Sequence, residues 1–278
     1  MHDLVGGVDS SWANATRDRR QEILTMIQRQ GKVTIQQLAD HFHLSPVSIR
    51  KDLEQLEMYT EGQIKRYRGG AVLNPIPLFE LDFHVREEEL RQEKMAIAEV
   101  AAQMVSPGEV VMLSAGTTTT FIARFLAQKG GVTVVTNGIN IAAELAGRSQ
   151  LTVVMIGGLV PEKSYATVGP LAHDYLQRIT ADIAFIGVAG IDPDVGFTTP
   201  YMLEAETYTT MIHTAKKSVV VADHTKLNRR SLSIIAPLLG VNQLIVDNGA
   251  DTGIVRELQS RGLQLTVASR EAEGGETL

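Results

Sequence analysis

Ser45-Pro46-Val47-Ser48-Ile49-Arg50-Lys51-Asp52-Leu53 reads as the opening of a helix. A serine oxygen at the cap accepts from a free first-turn amide, and proline at the first helical position has no N–H to leave unsatisfied. The helix is expected to run to about Glu57. Ile49, Leu53 and Leu56 fall at i, i+4 and i+7 and form its buried stripe. Val47, Ser48 and Lys51 then face outward, with Arg50 flanking.

Upstream, Thr34-Ile35-Gln36-Gln37 has capping-box form and predicts a short helix to about Phe42, burying Ile35, Leu38, Ala39 and Phe42. Arg17–Gln30 reads as an amphipathic helix with Ile23, Leu24 and Ile27 on one face, stopped by Gly31. Two short helices around the tight turn His43-Leu44, the second with a basic outer face, describe a helix-turn-helix. Gly62 to Ala71 alternates as a hairpin would, placing Lys65, Arg66 and Arg68 as a basic wing. The bland alternative is a three-helix bundle with a solvated hairpin; caps, turn length and basic face together argue against it.

The chain's net charge of −6 is unevenly spread. Between Arg17 and Leu73 ten basic residues oppose seven acidic ones, while the remainder is acidic. Such asymmetry suggests a polyanionic partner for the N-terminal part alone. There are no cysteines, so disulfides and thiolate metal sites are excluded. No apolar run reaches membrane-helix length. Met1 to Thr16 holds no Lys or Arg and no apolar stretch of signal-peptide length, so a cytoplasmic protein is expected.

The quoted helix resembles the recognition helix of the DeoR family of transcriptional regulators, whose usual core is Thr-Ile-Arg-Arg-Asp-Leu. Arg68-Gly69-Gly70-Ala71 resembles the family's His-Gly-Gly-Ala after the wing. Two departures stand out: about two extra residues between Leu56 and Gly69, and Arg68 in place of the common His. The resemblance implies that Val47, Ser48, Arg50 and Lys51 approach the major groove of operator DNA. Lys65, Arg66 and Arg68 would position the DNA backbone.

Asn74-Pro75-Ile76-Pro77 breaks the pattern and marks a boundary. Beyond it Arg86–Met104 reads as a helix with dense early charge. Strand-like runs follow at Val110–Leu113, Val132–Thr136, Leu151–Ile156, Ile183–Val188, Ser218–Ala222, Leu244–Val246 and Leu263–Val267, most separated by helical stretches. This is an α/β domain with a mostly parallel sheet. The expected organisation is a disordered leader (1–16), a winged helix-turn-helix (17–73), a linker (74–90), an effector-binding α/β domain (91–268) and an acidic tail (269–278).

In such domains ligands bind beyond the carboxyl ends of strands. There the sequence places Ser114-Ala115-Gly116-Thr117-Thr118-Thr119-Thr120, a Gly/Thr turn opening a helix that offers backbone amides to a phosphate. It lacks the Gly-Lys-Ser/Thr of a P-loop. Asn137-Gly138, Gly157-Gly158, Ala189-Gly190-Ile191-Asp192 and Asp223-His224-Thr225-Lys226 end other strands. Any one is readable as a plain turn; five together suit a small polyhydroxylated anion. The candidate effector residues are Ser114, Gly116, Thr117, Thr118, Thr119, Asn137, Gly158, Lys163, Asp192, Glu204 and Lys226.

These motifs, with Val168-Gly169-Pro170-Leu171 and Gly196-Phe197-Thr198-Thr199, resemble the DeoR-family sensor domain, which is similar to ribose-5-phosphate isomerase. The resemblance implies a sugar-phosphate effector, self-association as dimer or tetramer, and repression. The rival reading is a sugar-phosphate isomerase with Glu204 or Glu206 as base and Lys226 as the stabilising cation. Ala189 stands where the family often has Asp, so an isomerase-like carboxylate set is incomplete. No catalysis, metal, cofactor or membrane partner is expected.

Overall fold

The computed structural model describes residues 9–60, 64–73, 83–161 and 164–269. They fall into two compact units, divided between Leu81 and Asp82. None of the described helices is long and apolar enough to cross a membrane.

The first unit runs α1 (Asp9–Gln30), β1 (Lys32–Thr34), α2 (Ile35–Phe42), α3 (Pro46–Tyr59), β2 (Ile64–Tyr67) and β3 (Gly70–Leu73). The capping box forms as the sequence dictates: Gln37 N–H donates to the Thr34 hydroxyl, and the Gln37 side chain accepts from Thr34 N–H. Ile23, Leu24, Ile27, Val33, Leu38, Ile49, Leu53, Leu56 and Ile64 close one apolar core. The hairpin gains a third strand that periodicity did not show: β1 pairs antiparallel with β3. Helix α1 begins at Asp9, so Asp9–Thr16 is helical rather than a disordered leader, since no Gly or Pro interrupts it before Gly31. Residues 1–8 lie outside the described residues.

The second unit opens with α4 (Phe83–Glu88) and α5 (Arg91–Gln103), then β4 (Val110–Leu113), α6 (Thr117–Lys129), β5 (Val132–Thr136), α7 (Ile139–Leu145) and β6 (Leu151–Met155). It continues through α8 (Pro170–Leu176), β7 (Ala181–Gly187), β8 (Gly190–Asp192), β9 (Gly196–Thr199), α9 (Met202–Thr214) and β10 (Ala215–Ala222). A 3₁₀ turn (His224–Lys226), β11 (Ser233–Ala236), β12 (Gln243–Asp247), α10 (Thr252–Ser260) and β13 (Leu265–Ala268) complete it.

All seven expected strands join one parallel sheet in the order β13-β12-β10-β7-β4-β5-β6. Alternation sends Val111, Leu113, Ile183 and Phe185 to one face, under α5, α6 and α7. Met112, Ala184, Ile186 and Val220 line the other, under α8, α9 and α10. The chain builds outward from β4 through β5 and β6, then returns to lay β7 on the opposite side of β4. That reversal opens a crevice beyond the ends of β4 and β7. A small antiparallel sheet, β11-β9-β8, was not foreseen; it contributes Ile191, Phe197 and Ile235 to the core.

Two further expectations change. The single helix Arg86–Met104 is two, broken at Glu89-Leu90, where Leu90 takes a left-handed backbone (φ 49°). The linker expected over 74–90 accordingly ends earlier, because α4 is fastened to the second unit by a Glu87–Arg124 ion pair of 2.7 Å. Residues 74–82, and 270–278 of the tail, lie outside the described residues.

Gly70 shows why the wing motif needs glycine. A Cβ there would lie 2.0 Å from the Val33 carbonyl oxygen and 2.8 Å from Thr34 Cα, both backbone atoms. At Gly69 it would meet only the Tyr67 ring, at 3.2 Å. Gly70→Ala is expected to cost about 1–3 kcal/mol in urea unfolding of this unit, and Gly69→Ala distinctly less. Equal costs would contradict the close approach of β1 to β3.

Candidate functional site

The outer face of α3 is presented as its sequence implies. The Ser45 hydroxyl accepts from Ser48 N–H at 3.2 Å and lies 3.0 Å from the Ser48 hydroxyl, so Ser48 belongs partly to the cap. Val47 is 58% exposed, and Arg50 and Lys51 are exposed beside it. On the hairpin, Lys65 and Arg68 are exposed as well.

Three of the basic residues have work inside the unit. Asp52, on the inner side of α3, is 2% exposed and accepts from Arg19 Nε at 2.7 Å and Arg20 Nε at 2.8 Å. One carboxylate thus ties α1 to α3. Arg66 is drawn to α3 in the same way: its backbone N–H and Nε donate to the two Glu57 oxygens, at 2.9 and 2.6 Å. Burial pushes the Glu57 carboxyl up, but the Arg66 bonds outweigh it and hold the group below its ordinary value. Arg66 therefore fastens the hairpin while staying exposed beside Lys65 and Arg68.

In the second unit the residues following β4 and β7 stand at the point where the strand order reverses. Ser114 is fully buried, and its hydroxyl accepts from Gly187 N–H at 2.9 Å, bridging the ends of those strands. Asn137 is fully buried too; its side chain accepts from Ala115 N–H at 2.8 Å and donates to the Thr167 carbonyl at 3.0 Å. Ser114 and Asn137 thus shape the Ala115–Gly116 turn from beneath. Gly116 caps α6, and its carbonyl receives the hydroxyls of Thr119 (3.0 Å) and Thr120 (2.7 Å). Thr117 and Thr118 fill the first turn, where backbone amides have no helical acceptor.

Other candidates prove local. Gly158 sits where a Cβ would meet the Val168 carbonyl oxygen at 2.6 Å. Asp192 accepts from Asp194 N–H and Val195 N–H, both at 2.9 Å, and from Arg230, so it holds the β8–β9 turn instead of facing a ligand. Buried Glu204 accepts from the Ser164 and Thr199 hydroxyls, each at 3.2 Å, while Glu206 is exposed. Lys163 lies outside the described residues. Among the described residues no cluster of His, Asp or Glu could hold a metal ion.

The end of β10 carries the charge. Asp223 is buried and accepts from Thr225 N–H at 3.1 Å and from the Thr225 hydroxyl. Burial raises its carboxyl, but Lys226, Thr225 and Lys94 together bring it below its ordinary value. His224 is oriented by fully buried Asp247, with Nδ1 2.7 Å from one oxygen and its backbone N–H 2.6 Å from the other. Lys94 of α5 is 4% exposed and donates to the carbonyls of Arg86 and Glu89. Burial lowers its ammonium to about 8, with Asp223 opposing and Lys226 adding to the fall. Burial also lowers Arg229, against the pull of Asp223 and Glu89.

Arg86, Lys226, Asp223 and Glu89 thus act on Lys94, and Asp223 and Glu89 act on Arg229. Of the six, only Lys226 was a candidate from sequence. A signal for Lys94 existed, since it shares the i, i+3, i+4, i+7 stripe of buried Ile97, Ala98 and Ala101. A lysine on an apolar stripe is a buried charge awaiting a partner.

Comparison with known proteins divides the chain as the fold does. Residues 19–76 match the model of a DeoR-like helix-turn-helix domain. Residues 89–248 match the DeoR C-terminal sensor domain. The chain is 32% identical over 259 residues to the HTH-type transcriptional regulator YulB of Bacillus subtilis, covering 92% of this chain and 98% of that one. It is 32% identical over 240 residues to the transcriptional repressor AccR of Agrobacterium fabrum (86% and 92%). To the glycerol-3-phosphate regulon repressor of Escherichia coli K12 it is 26% identical over 247 residues (89% and 97%). Among solved structures, ribose 5-phosphate isomerase A of Methanocaldococcus jannaschii is similar at 20% identity and a TM-score of 0.35, over 49% of this chain and 54% of that one. That score bears on neither ligand nor reaction.

The Asp52 pairing gives a test of the reading face. Asp52→Ala strands two guanidiniums against a buried gap and is expected to cost about 2 kcal/mol or more in chemical unfolding, the arginines' partial exposure softening the loss. A loss within error would mean that Arg19 and Arg20 do not hold α3.

Proposed function

The chain belongs to the DeoR family of DNA-binding transcriptional regulators, and on that footing we propose that it represses transcription from operators released by a phosphorylated sugar. The observation that carries the ligand half is the gathering of buried Lys94 with Lys226 and Arg229 around buried Asp223 at the end of β10. A phosphomonoester dianion at neutral pH is a ligand that such a group of cations suits. The amides of Thr117, Thr118 and Thr119 lie at the end of the neighbouring strand β4, one strand from β10 across β7. There they complete a cradle from a helix N-terminus. The name of the Escherichia coli relative, a glycerol-3-phosphate regulon repressor, is consistent with a phosphorylated ligand.

In this reading Val47, Arg50 and Lys51 address base edges while Lys65 and Arg68 address phosphates. Two copies, or four, set recognition helices at half-sites separated by whole turns of DNA. Leu171 and Tyr175 on α8 and Met202 on α9 are exposed apolar side chains of the kind that support such self-association. The ligand must bind the DNA-releasing arrangement more tightly than the DNA-bound one.

Selection of bound duplexes from a random library by the full chain tests the DNA half. Two-fold related half-sites are expected, and a library left unenriched would contradict sequence reading. On a selected site Lys51→Ala should lose about 1–3 kcal/mol, and much less on random duplex. Arg68→Ala should weaken both alike and reduce the slope of log K against log salt by about 0.9, whereas Arg66→Ala should change stability more than that slope.

The ligand half has a pH signature. Free of ligand, Lys94 loses its proton above about pH 8, and binding an anion restores it. Affinity for a phosphorylated ligand is therefore expected to hold level from about pH 7, where a phosphomonoester is mostly a dianion, up to that pH. From about pH 8 to 9 it should fall, approaching tenfold per unit at the upper end, and Lys94→Met should bind weakly with a flat profile. A flat calorimetric profile in the unaltered protein would remove Lys94 from the site.

A further inference from the structure

The turn after β4 is gripped by side chains from two other elements. Asn137, following β5, accepts from Ala115 N–H at 2.8 Å. The Ala115 carbonyl is held by α9, whose Tyr208 hydroxyl donates to it at 3.1 Å. Tyr208 is 3% exposed and lies in the apolar layer of Met112, Ala205 and Met211. A phenol buried there is apolar along most of its length, and its polar tip reaches the cradle. One turn earlier on α9, Glu204 accepts from the Ser164 and Thr199 hydroxyls and fixes the start of the helix.

We propose that Tyr208 is a positioning residue of the anion site: its hydroxyl sets the Ala115–Gly116 peptide so that Gly116 N–H joins the first amides of α6 in receiving a phosphate. The inference rests on the anion site proposed above. In a planar trans peptide the C=O and the following N–H point opposite ways. A carbonyl drawn toward α9 therefore turns the Gly116 N–H away from α9. Helices α9 and α6 lie on opposite faces of the sheet, so that direction is the α6 side.

Two hydroxyls mark this turn for a ligand. Thr117 and Thr118 are each 6% exposed, and neither hydroxyl has a hydrogen-bond partner among the described residues. Their neighbours Thr119 and Thr120 are satisfied by the Gly116 carbonyl. The N–H groups of Gly116, Thr117, Thr118 and Thr119 also meet no acceptor among the described residues. Polar groups buried without partners are costly, and an ionised phosphate oxygen is a strong acceptor for both kinds of donor. Phenylalanine at position 208 keeps the ring and removes the hold, leaving the Ala115 carbonyl a 3.4 Å contact from the Ser114 hydroxyl.

Calorimetric titration of the full chain with inorganic phosphate, against chloride at equal ionic strength, tests this. The melting temperature in phosphate-free buffer and the Gly116 amide resonance are measured in parallel. Tyr208→Phe is expected to weaken phosphate binding about threefold to tenfold, as loss of one hydrogen bond allows. The Gly116 resonance should move less at saturation than in the unaltered protein. Met211→Ala, which removes packing from the same helix, should lower the melting temperature far more than Tyr208→Phe and leave phosphate affinity unchanged. Equal phosphate binding by Tyr208→Phe and the unaltered protein would overturn the role of Tyr208 and leave the anion site standing. Equal weakening by Met211→Ala would do the same, because the effect would then follow stability alone. No phosphate binding by the unaltered protein would overturn the site and the inference together.

Discussion

A lysine buried beside the end of β10 is the constraint on which that side of the sensor unit depends. Lowering a lysine from its ordinary value to about 8 corresponds to roughly 3 kcal/mol disfavouring its charged form. The fold tolerates this by giving Lys94 two carbonyl acceptors and by keeping Asp223 ionised nearby. In the proposed sensor, an anion bound beside this lysine stabilises one arrangement over the other.

The parallel sheet puts the end of β10 and the proposed phosphate cradle after β4 on the same side. The reversal of strand order at β4 and β7 leaves the Ala115–Gly116 turn beside a crevice, with β10 next across β7. Ser114 and Asn137 hold the turn from below, so the backbone amides of α6 are presented by a rigid floor. In the reading unit the same economy applies. Buried Asp52 holds Arg19 and Arg20 to fix helix against helix, and Glu57 pairs with exposed Arg66 to fix hairpin against helix. The exposed Arg50, Lys51, Lys65 and Arg68 remain to meet DNA.

Much of the fold was legible where local chemistry is decisive. The Thr34 box, the Ser45-Pro46 cap and seven apolar runs translate directly into elements, because each is fixed by neighbours a few residues away. What was missed depends on distant partners. The β1 strand exists because Gly70 lets β3 approach Val33, and the small sheet depends on pairing between segments tens of residues apart. The break at Glu89-Leu90 has no Gly or Pro to announce it. The site divided in the same way. The Gly/Thr turn and Lys226 announce themselves by residue type at a strand end. Ser114 and Asn137 are buried, and their hydrogen bonds point into the scaffold. Lys94 and Arg229 were hidden, because a basic residue in a helix or loop looks solvated until burial is known.

We propose that a phosphorylated ligand in the sensor unit releases DNA from the reading unit. The most direct measurement is fluorescence anisotropy of a selected operator duplex bound to the full chain, titrated with phosphorylated sugars and with each sugar lacking its phosphate. The account predicts that at least one phosphorylated sugar displaces the DNA, that its unphosphorylated form does not, and that Lys226→Ala abolishes the effect while leaving ligand-free DNA affinity intact. Displacement that ignores the phosphate, or DNA affinity unchanged by every ligand the sensor binds, would contradict it.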